Sequence, residues 1–299
     1  MKYEHLKGLI AAPFTAFRGD GSVNIDAVPL QVESLLRQGV IGAYILGTTG
    51  EGVSCSVSER KELMAAWKEA GGDRLKLIAH IGALSLSDVL ELGAFAQEIG
   101  LYGTSVVPPC FFRPLSARQL VEFCSIAASS APNLPFYYYN SSATAPNPSP
   151  VEFLELANET IPNLAGIKFN SHNLYEYQLC RRMFGGKFDI VYGVDEFFAG
   201  ALALGAQGFI GSTYNYSAKL YHKVWEAFDR ADWNAVEHWM DKVCRSVSLL
   251  VKYGGLAAGK TMMKVQNVDC GDPRPPLLAL RQDEKDAIIK SISSILEED

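Results

Sequence analysis

Eight short apolar segments, separated by stretches with helical patterning, are the feature that most limits how this chain can fold. Each segment is rich in β-branched or aromatic residues and nearly continuous in hydrophobicity, which is typical of strands buried on both faces of a parallel sheet. Successive segments begin about 20–35 residues apart, the size of a βα unit. The predicted strands cover residues 8–17, 42–47, 76–82, 103–108, 135–140, 164–170, 188–193 and 208–213.

Helix signals occupy the intervals between these segments. Ser56 and Glu59 have the spacing of a capping box, and the helix that they open is expected to stop at Gly71 and Gly72. Three further helical patterns precede the last strands and three follow residue 213, where the strand signal disappears. They cover residues 85–100, 116–129, 174–184, 217–253, 257–267 and 277–296.

Eight β-then-α units in series predict an α/β protein, a closed (β/α)8 TIM barrel with a C-terminal helical appendage. An open doubly wound sheet is the structural alternative, but no Gly-x-Gly-x-x-Gly motif follows a predicted strand. The 299 residues contain no linker or low-complexity segment. We therefore expect a single domain over residues 1–299, with the barrel at about 1–230 and the C-terminal helices at about 231–299.

Composition excludes several classes of protein. A chain with 48% hydrophobic and 20% charged residues is not disordered, and no apolar run reaches the roughly 18 residues of a membrane span. The net charge of −6 argues against a nucleic-acid partner.

The first eight residues lack the apolar core of a signal peptide, which predicts a cytoplasmic protein. Reduced cysteines and no metal site are expected, because no cysteine or histidine pair has metal-ligand spacing.

Two predicted strands carry candidate chemical groups, one for binding a carboxylate and one for attacking a carbonyl carbon. In a barrel, active sites lie at the C-terminal ends of the strands. In the run Gly47-Thr48-Thr49-Gly50-Glu51-Gly52, glycines and threonine hydroxyls form a candidate carboxylate site, although the run also fits an ordinary turn. Lys168 stands inside the sixth apolar strand. Burial would lower its pKa and make the neutral amine a nucleophile toward a carbonyl carbon, unless the lysine sits at the outer end and reaches solvent.

Three other strand ends carry candidate polar groups. Alternation directs Tyr137 and Tyr139 to one side of the fifth strand and Tyr138 to the other, so Tyr139 either relays protons or serves packing. Asp195 and Glu196 follow the seventh strand. Their carboxylates either cap the next helix or accept hydrogen bonds from the hydroxyls of a polyol. The eighth strand ends in Gly-Ser-Thr-Tyr-Asn, residues 211–215.

These motifs resemble, in order and spacing, the pyruvate-dependent lysine Schiff-base aldolases, the dihydrodipicolinate synthase and N-acetylneuraminate lyase family. The resemblance covers nearly the whole chain and rests on GTTGEG, YYYN, GIKF and GSTYN. It implies Lys168 as the imine-forming residue and Tyr139 as the proton relay. Thr48 and Thr49 would hold the carboxylate of pyruvate. The resemblance also implies a small-molecule substrate, no cofactor and a homotetramer.

Residues 193–196 and 211–216 are very similar to the sialic acid lyases of this family. That similarity implies that Gly193, Asp195, Glu196 and Ser212 bind the hydroxyls of an open-chain sugar. The expected reaction is the reversible cleavage of N-acetylneuraminate to pyruvate and N-acetylmannosamine. The synthase branch expects an arginine shortly after the catalytic tyrosine, where this chain has Thr144, so a second substrate carboxylate would lack its usual partner.

The chain also departs from the lyase pattern. Ser142 and Pro146 stand near positions where lyases carry a proline and a glycine, and Asn170 replaces a threonine two residues after the lysine. The loop with Cys110, Phe111 and Phe112 has no tyrosine, so a tyrosine-to-tyrosine relay through it is not expected. Three alternatives stay open: a keto-deoxy sugar acid aldolase, a dihydrodipicolinate synthase, and a non-catalytic barrel.

Overall fold

The computed structural model describes residues 3–141 and 148–297. Its centre is a closed barrel of eight parallel strands in chain order, in which β8 pairs back onto β1. The predicted fold class is confirmed, and every predicted strand is present. The strands are β1 (Gly8–Ala11), β2 (Gly42–Ile45), β3 (Lys76–His80), β4 (Gly103–Val106), β5 (Phe136–Ser141), β6 (Leu164–Asn170), β7 (Asp189–Tyr192) and β8 (Gly208–Gly211).

A helix follows each strand and packs on the outside of the barrel. The predicted capping box opens α2, where the N–H of Glu59 donates to Ser56 Oγ and the N–H of Ser56 donates to the Glu59 carboxylate. The sequence patterns do not single out α1, α5 or α7. The helices are α1 (Ala27–Arg37), α2 (Val57–Gly71), α3 (Leu86–Glu98), α4 (Ala117–Ser129), α5 (Pro150–Thr160), α6 (Leu174–Arg182), α7 (Phe198–Ala203) and α8 (Tyr214–Asp229).

Three more helices follow: α9 (Trp233–Lys252), α10 (Leu256–Met262) and α11 (Gln282–Glu297). The prediction of one helix over residues 217–253 is wrong. Ala231 adopts a positive φ of 54°, which ends the first helix, and the Asp232 side chain accepts the N–H of Ala235 to open the next. The last helix begins later than predicted, because Glu284 accepts the N–H of Arg281 and so marks its first turn.

The side chains of β5 show how the barrel is filled. Tyr137 and Tyr139 belong to the cluster inside the barrel, whereas Tyr138 belongs to the layer between strands and helices and packs on Phe153 of α5. The predicted alternation is therefore confirmed. A third cluster joins α10 and α11 to the loop after β1, so the C-terminal helices are packed against the barrel. None of the helices in the described ranges has both the length and the apolarity needed to cross a membrane.

Candidate active site

A cavity of about 240 Å³ opens at the carboxyl ends of the strands. Its walls come from the ends of β2, β5, β6, β7 and β8, where the sequence places the candidate site residues. All of these residues except Thr48 line the cavity. They are Thr49, Tyr139, Lys168, Gly193, Asp195, Glu196 and Ser212.

Lys168 lies at the bottom of this cavity and is only 5% exposed. Its Nζ is 4.0 Å from the centre of the Tyr44 ring and 4.1 Å from that of the Tyr139 ring. Lys168 and Tyr139 are direct partners in the register of β6 and β5, so their side chains start side by side. Burial lowers the pKa of the Lys168 ammonium, while Tyr139 and Asp195 oppose the shift. The alternative of a lysine that reaches solvent is therefore wrong.

The hydroxyl of Tyr139 is surrounded by polar groups. Thr48, Ser141 and Lys168 bring their polar groups close enough to affect its ionisation. Burial by itself would raise the pKa of Tyr139, but the charge of Lys168 and the nearby polar groups of Thr48 and Ser141 together outweigh it and lower the pKa. A phenol of lowered pKa beside an amine is suited to proton transfer. The adjacent threonines thus differ, since Thr48 contacts the tyrosine and Thr49 faces the cavity.

The loop of residues 47–52 requires glycine at its end. A Cβ on Gly52 would collide with the carbonyl group of Leu46, so the chain makes this turn only without a side chain there. Among the described residues, the backbone N–H groups of Thr48 and Thr49 donate to no other backbone group. These N–H groups and the Thr49 hydroxyl form an arrangement that suits a carboxylate.

Glu51 of the same loop is a structural residue that the sequence analysis missed. It is buried, and its Oε1 lies 2.7 Å from Nζ of Lys260 on α10. Its Oε2 accepts the backbone N–H of Arg274 at 2.9 Å. The C-terminal helices therefore hold the Thr48–Thr49 loop in place. No local motif indicates this pair, because its members stand far apart in the chain.

Asp195 joins the ends of β7 and β8 and caps no helix. Its Oδ2 accepts the N–H of Thr213 at 3.0 Å and the Thr213 hydroxyl at 2.7 Å. The carboxylate lies against Gly211, where any Cβ would collide with it. Burial raises the pKa of Asp195 to about 6, against the hydrogen bonds from Thr213. The helix-cap alternative is therefore wrong for Asp195.

Several lining residues have no motif that would have identified them. Two of them line the cavity at the end of β6: Asn170, the last residue of the strand and noted in the sequence only as a departure, and His172 in the loop that follows. Val247, Leu250 and Val251 form an apolar wall, although they belong to α9 in the C-terminal appendage. Nothing local in a helix sequence indicates that its side chains reach the mouth of a barrel.

The structure describes only some of the positions at which the chain departs from the lyase pattern. Ser142, Thr144 and Pro146 lie outside the described residues. Within the described part of the chain, Cys110, Phe111 and Phe112 are exposed and do not line the cavity.

Proteins of similar sequence and structure identify the family. The model of the Dihydrodipicolinate synthetase family matches residues 5–295. The chain belongs to this family. Among curated relatives, the N-acetylneuraminate lyase of Homo sapiens is 36% identical over 299 residues, which cover 97% of this chain and 92% of that protein.

Two solved structures of family members share the whole fold. The N-acetylneuraminate lyase of Proteus mirabilis is 46% identical with a TM-score of 0.96, covering 98% of this chain and 99% of that one. The N-acetylneuraminate lyase (sialic acid aldolase) of Aliivibrio salmonicida is 44% identical with a TM-score of 0.97, covering 99% of both chains. The family resemblance stated from the motifs is thereby confirmed.

Proposed function

We propose that this chain is a class I aldolase that reversibly cleaves N-acetylneuraminate to pyruvate and N-acetylmannosamine. The observation that carries the proposal is Lys168, a buried amine of lowered pKa at the bottom of an open cavity. The names of its relatives support the choice of substrate. The reaction needs no organic cofactor, because the protonated imine of the lysine withdraws the electrons.

Lys168 is the proposed nucleophile. Its neutral amine attacks the C2 ketone of the open-chain sugar acid, and loss of water gives a protonated imine. When the C4 hydroxyl loses its proton, the electron pair of the C3–C4 bond moves toward the imine nitrogen and N-acetylmannosamine leaves. The enamine that remains takes a proton at C3, and hydrolysis of the imine releases pyruvate and restores Lys168.

Tyr139 is the proposed acid and base of this sequence. Its ring lies beside the amine of Lys168 and the pKa of its hydroxyl is lowered, so it is suited to take the C4 proton. Thr49 and the N–H groups of the loop after β2 would hold the substrate carboxylate. That anchor places C2 over Lys168 and leaves the sugar tail toward the cavity mouth.

The wall formed by β7 and β8 is the proposed sugar-binding side. Gly193, Asp195, Glu196 and Ser212 line it together. Carboxylate oxygens accept hydrogen bonds from hydroxyl groups, and Asp195 is fixed in place by Thr213. The side chains that α9 adds to the lining, Val247, Leu250 and Val251, are apolar and offer the substrate no competing polar partner.

A homotetramer in the cytoplasm is part of the proposal. Five apolar side chains on the β2, β3 and β4 side of the barrel are between 72% and 89% exposed: Val53, Leu84, Phe111, Phe112 and Leu115. Two of them flank a groove of about 450 Å³. Exposed apolar surface of this kind is typical of protein contacts, and a second copy of the chain is the proposed occupant.

Borohydride trapping tests the aldolase. Reduction in the presence of N-acetylneuraminate should leave a pyruvate-sized adduct on the Lys168 peptide, shown by mass spectrometry, and none on the peptide of Lys260, which is also buried. That result requires both imine formation and carbon–carbon cleavage.

The other outcomes discriminate between the alternatives. An adduct with pyruvate but not with the sugar acid would retain the aldolase class and reject sialic acid as the substrate. Turnover with another keto-deoxy sugar acid or with a dihydrodipicolinate precursor would then identify the reaction. No adduct with either compound would indicate a non-catalytic barrel.

A further inference from the structure

His172 lies at the mouth of the cavity, in the loop that joins β6 to α6. Its side chain lines the cavity and is 61% exposed, whereas Lys168 lies buried at the bottom. Two contacts orient the imidazole. Its ring meets the Phe197 ring edge-on, with centroids 5.0 Å apart, and its Nε2 lies 3.5 Å from Oε1 of Glu196. His172 and Glu196 therefore lie side by side at the mouth, on segments that follow two different strands.

The contact between His172 and Glu196 is open to a ligand. A separation of 3.5 Å is at the outer limit of a hydrogen bond, so neither group is saturated by the other. An imidazole offers a ring nitrogen as donor or acceptor, and a carboxylate offers two acceptor oxygens. Neighbouring hydroxyl groups on one sugar molecule match this combination, since each hydroxyl both donates and accepts hydrogen bonds.

The loop that carries His172 is anchored rather than loose. The hydroxyl of Tyr192 donates to the carbonyl oxygen of Ser171 at 3.3 Å, and the Asn173 side chain caps α6 by accepting the N–H of Glu176. A side chain held between two fixed neighbours loses little conformational entropy when it binds a ligand.

We propose that His172 is a specificity-determining residue, which binds the hydroxyl groups at the distal end of the sugar chain together with Glu196. This inference rests on the aldolase function proposed above and adds a residue that the motifs do not include. Lys168 holds the keto end at the bottom of the cavity, so only the far end of a long sugar acid reaches His172. The proposal therefore predicts no contact between His172 and pyruvate alone.

Steady-state kinetics of the condensation reaction test this inference. The His172→Ala variant should raise the KM for N-acetylmannosamine about tenfold, equivalent to about 1.4 kcal/mol. The KM for pyruvate and the borohydride-trapped imine on Lys168 should be unchanged. The His172→Gln variant, which retains a hydrogen-bonding group, should recover most of the loss. His238→Ala is the matched control, because His238 is exposed on α9 outside the cavity lining.

Three results would overturn the inference. The first is an N-acetylmannosamine KM for His172→Ala within twofold of the parent value. The second is an equal rise in both KM values, which would indicate general damage to the site. The third is a parent protein that traps pyruvate on Lys168 but does not condense it with N-acetylmannosamine. That last result alone would also reject the proposed substrate, so the two failures are distinguishable.

Discussion

Two buried lysines in this chain have opposite surroundings. Lys168 lies between the rings of Tyr44 and Tyr139 beside an open cavity, and no carboxylate among the described residues is within ion-pair distance of it. Lys260 is paired with Glu51 at 2.7 Å inside the packing of the C-terminal helices. Burial lowers the pKa of both ammonium groups, and at Lys260 the hydrogen bond and charge of Glu51 oppose it.

The comparison shows that burial alone does not make a nucleophile. A lysine that forms imines needs space for a substrate carbon and a neighbour that exchanges protons, and Lys168 has both. Lys260 has a permanent counter-ion and no cavity of its own among those described. Its charge serves to hold the Glu51 loop, and with it Thr48 and Thr49, against the C-terminal helices.

The largest predicted effect is the loss of activity when Lys168 is replaced. Lys168→Ala should lower kcat by about 10⁴-fold or more, because no other amine can take its place at the cavity bottom. Pyruvate release from N-acetylneuraminate, followed over hours, measures the residual rate. A Lys168→Ala protein with the parent rate would show that the imine does not form there.

The second-largest loss of activity is expected when Tyr139 is replaced. Tyr139→Phe should lower kcat by about 10²–10⁴-fold while the imine with pyruvate still forms, because the phenol moves the proton and does not bind the keto group. Tyr137→Phe is the matched control, since the Tyr137 hydroxyl donates to Asp189 at the other end of the barrel. A change of less than threefold for Tyr139→Phe would remove this residue from the mechanism.

Lys260 should matter mainly for stability. Lys260→Met should lower the free energy of unfolding by about 3–5 kcal/mol, because it leaves the Glu51 carboxylate buried without its counter-ion. Urea unfolding measures the loss, and the double variant Lys260→Met, Glu51→Gln should recover part of it. Equal stability of the parent and Lys260→Met would mean that the pair contributes nothing to holding the loop.

The smallest predicted effect is the change in folding stability with pH. Burial raises the pKa of both Asp189 and Asp195 to about 6, above the ordinary value of 3.8, so the folded state binds these protons more tightly than the unfolded chain. The resulting stability is fully present below about pH 3.8 and is lost as the pH rises through about 6. Across this window each group accounts for about 3 kcal/mol of the free energy of unfolding.

Asp189→Asn isolates one of these groups. Its amide oxygen can still accept the N–H of Leu6 and the hydroxyl of Tyr137, which now donate to Asp189. Urea midpoints between pH 4.5 and 7 should fall less steeply for the variant than for the parent protein. Identical slopes would show that Asp189 does not titrate in this range.

Local sequence patterns predicted the barrel well, because a strand buried on both faces leaves a continuous apolar run. The same patterns placed Lys168, Tyr139 and Asp195 at strand ends, where the barrel brings them together. They failed at the junction of α8 and α9, since the break depends on the positive φ of Ala231 and on the cap by Asp232. The single domain over residues 1–299 and the roles of the site residues stay predictions.

Hydrophobic periodicity, strand-end motifs and one lysine in an apolar strand were sufficient to infer the barrel, its family and an imine chemistry, because each is a pattern within a few residues. Only the folded chain shows three other features: the Glu51–Lys260 pair, the α9 wall and the position of His172 beside Glu196. Each joins segments that only the closure of the barrel and the packing of its helices bring together. Contacts between distant residues leave no periodicity in the sequence from which they could be predicted.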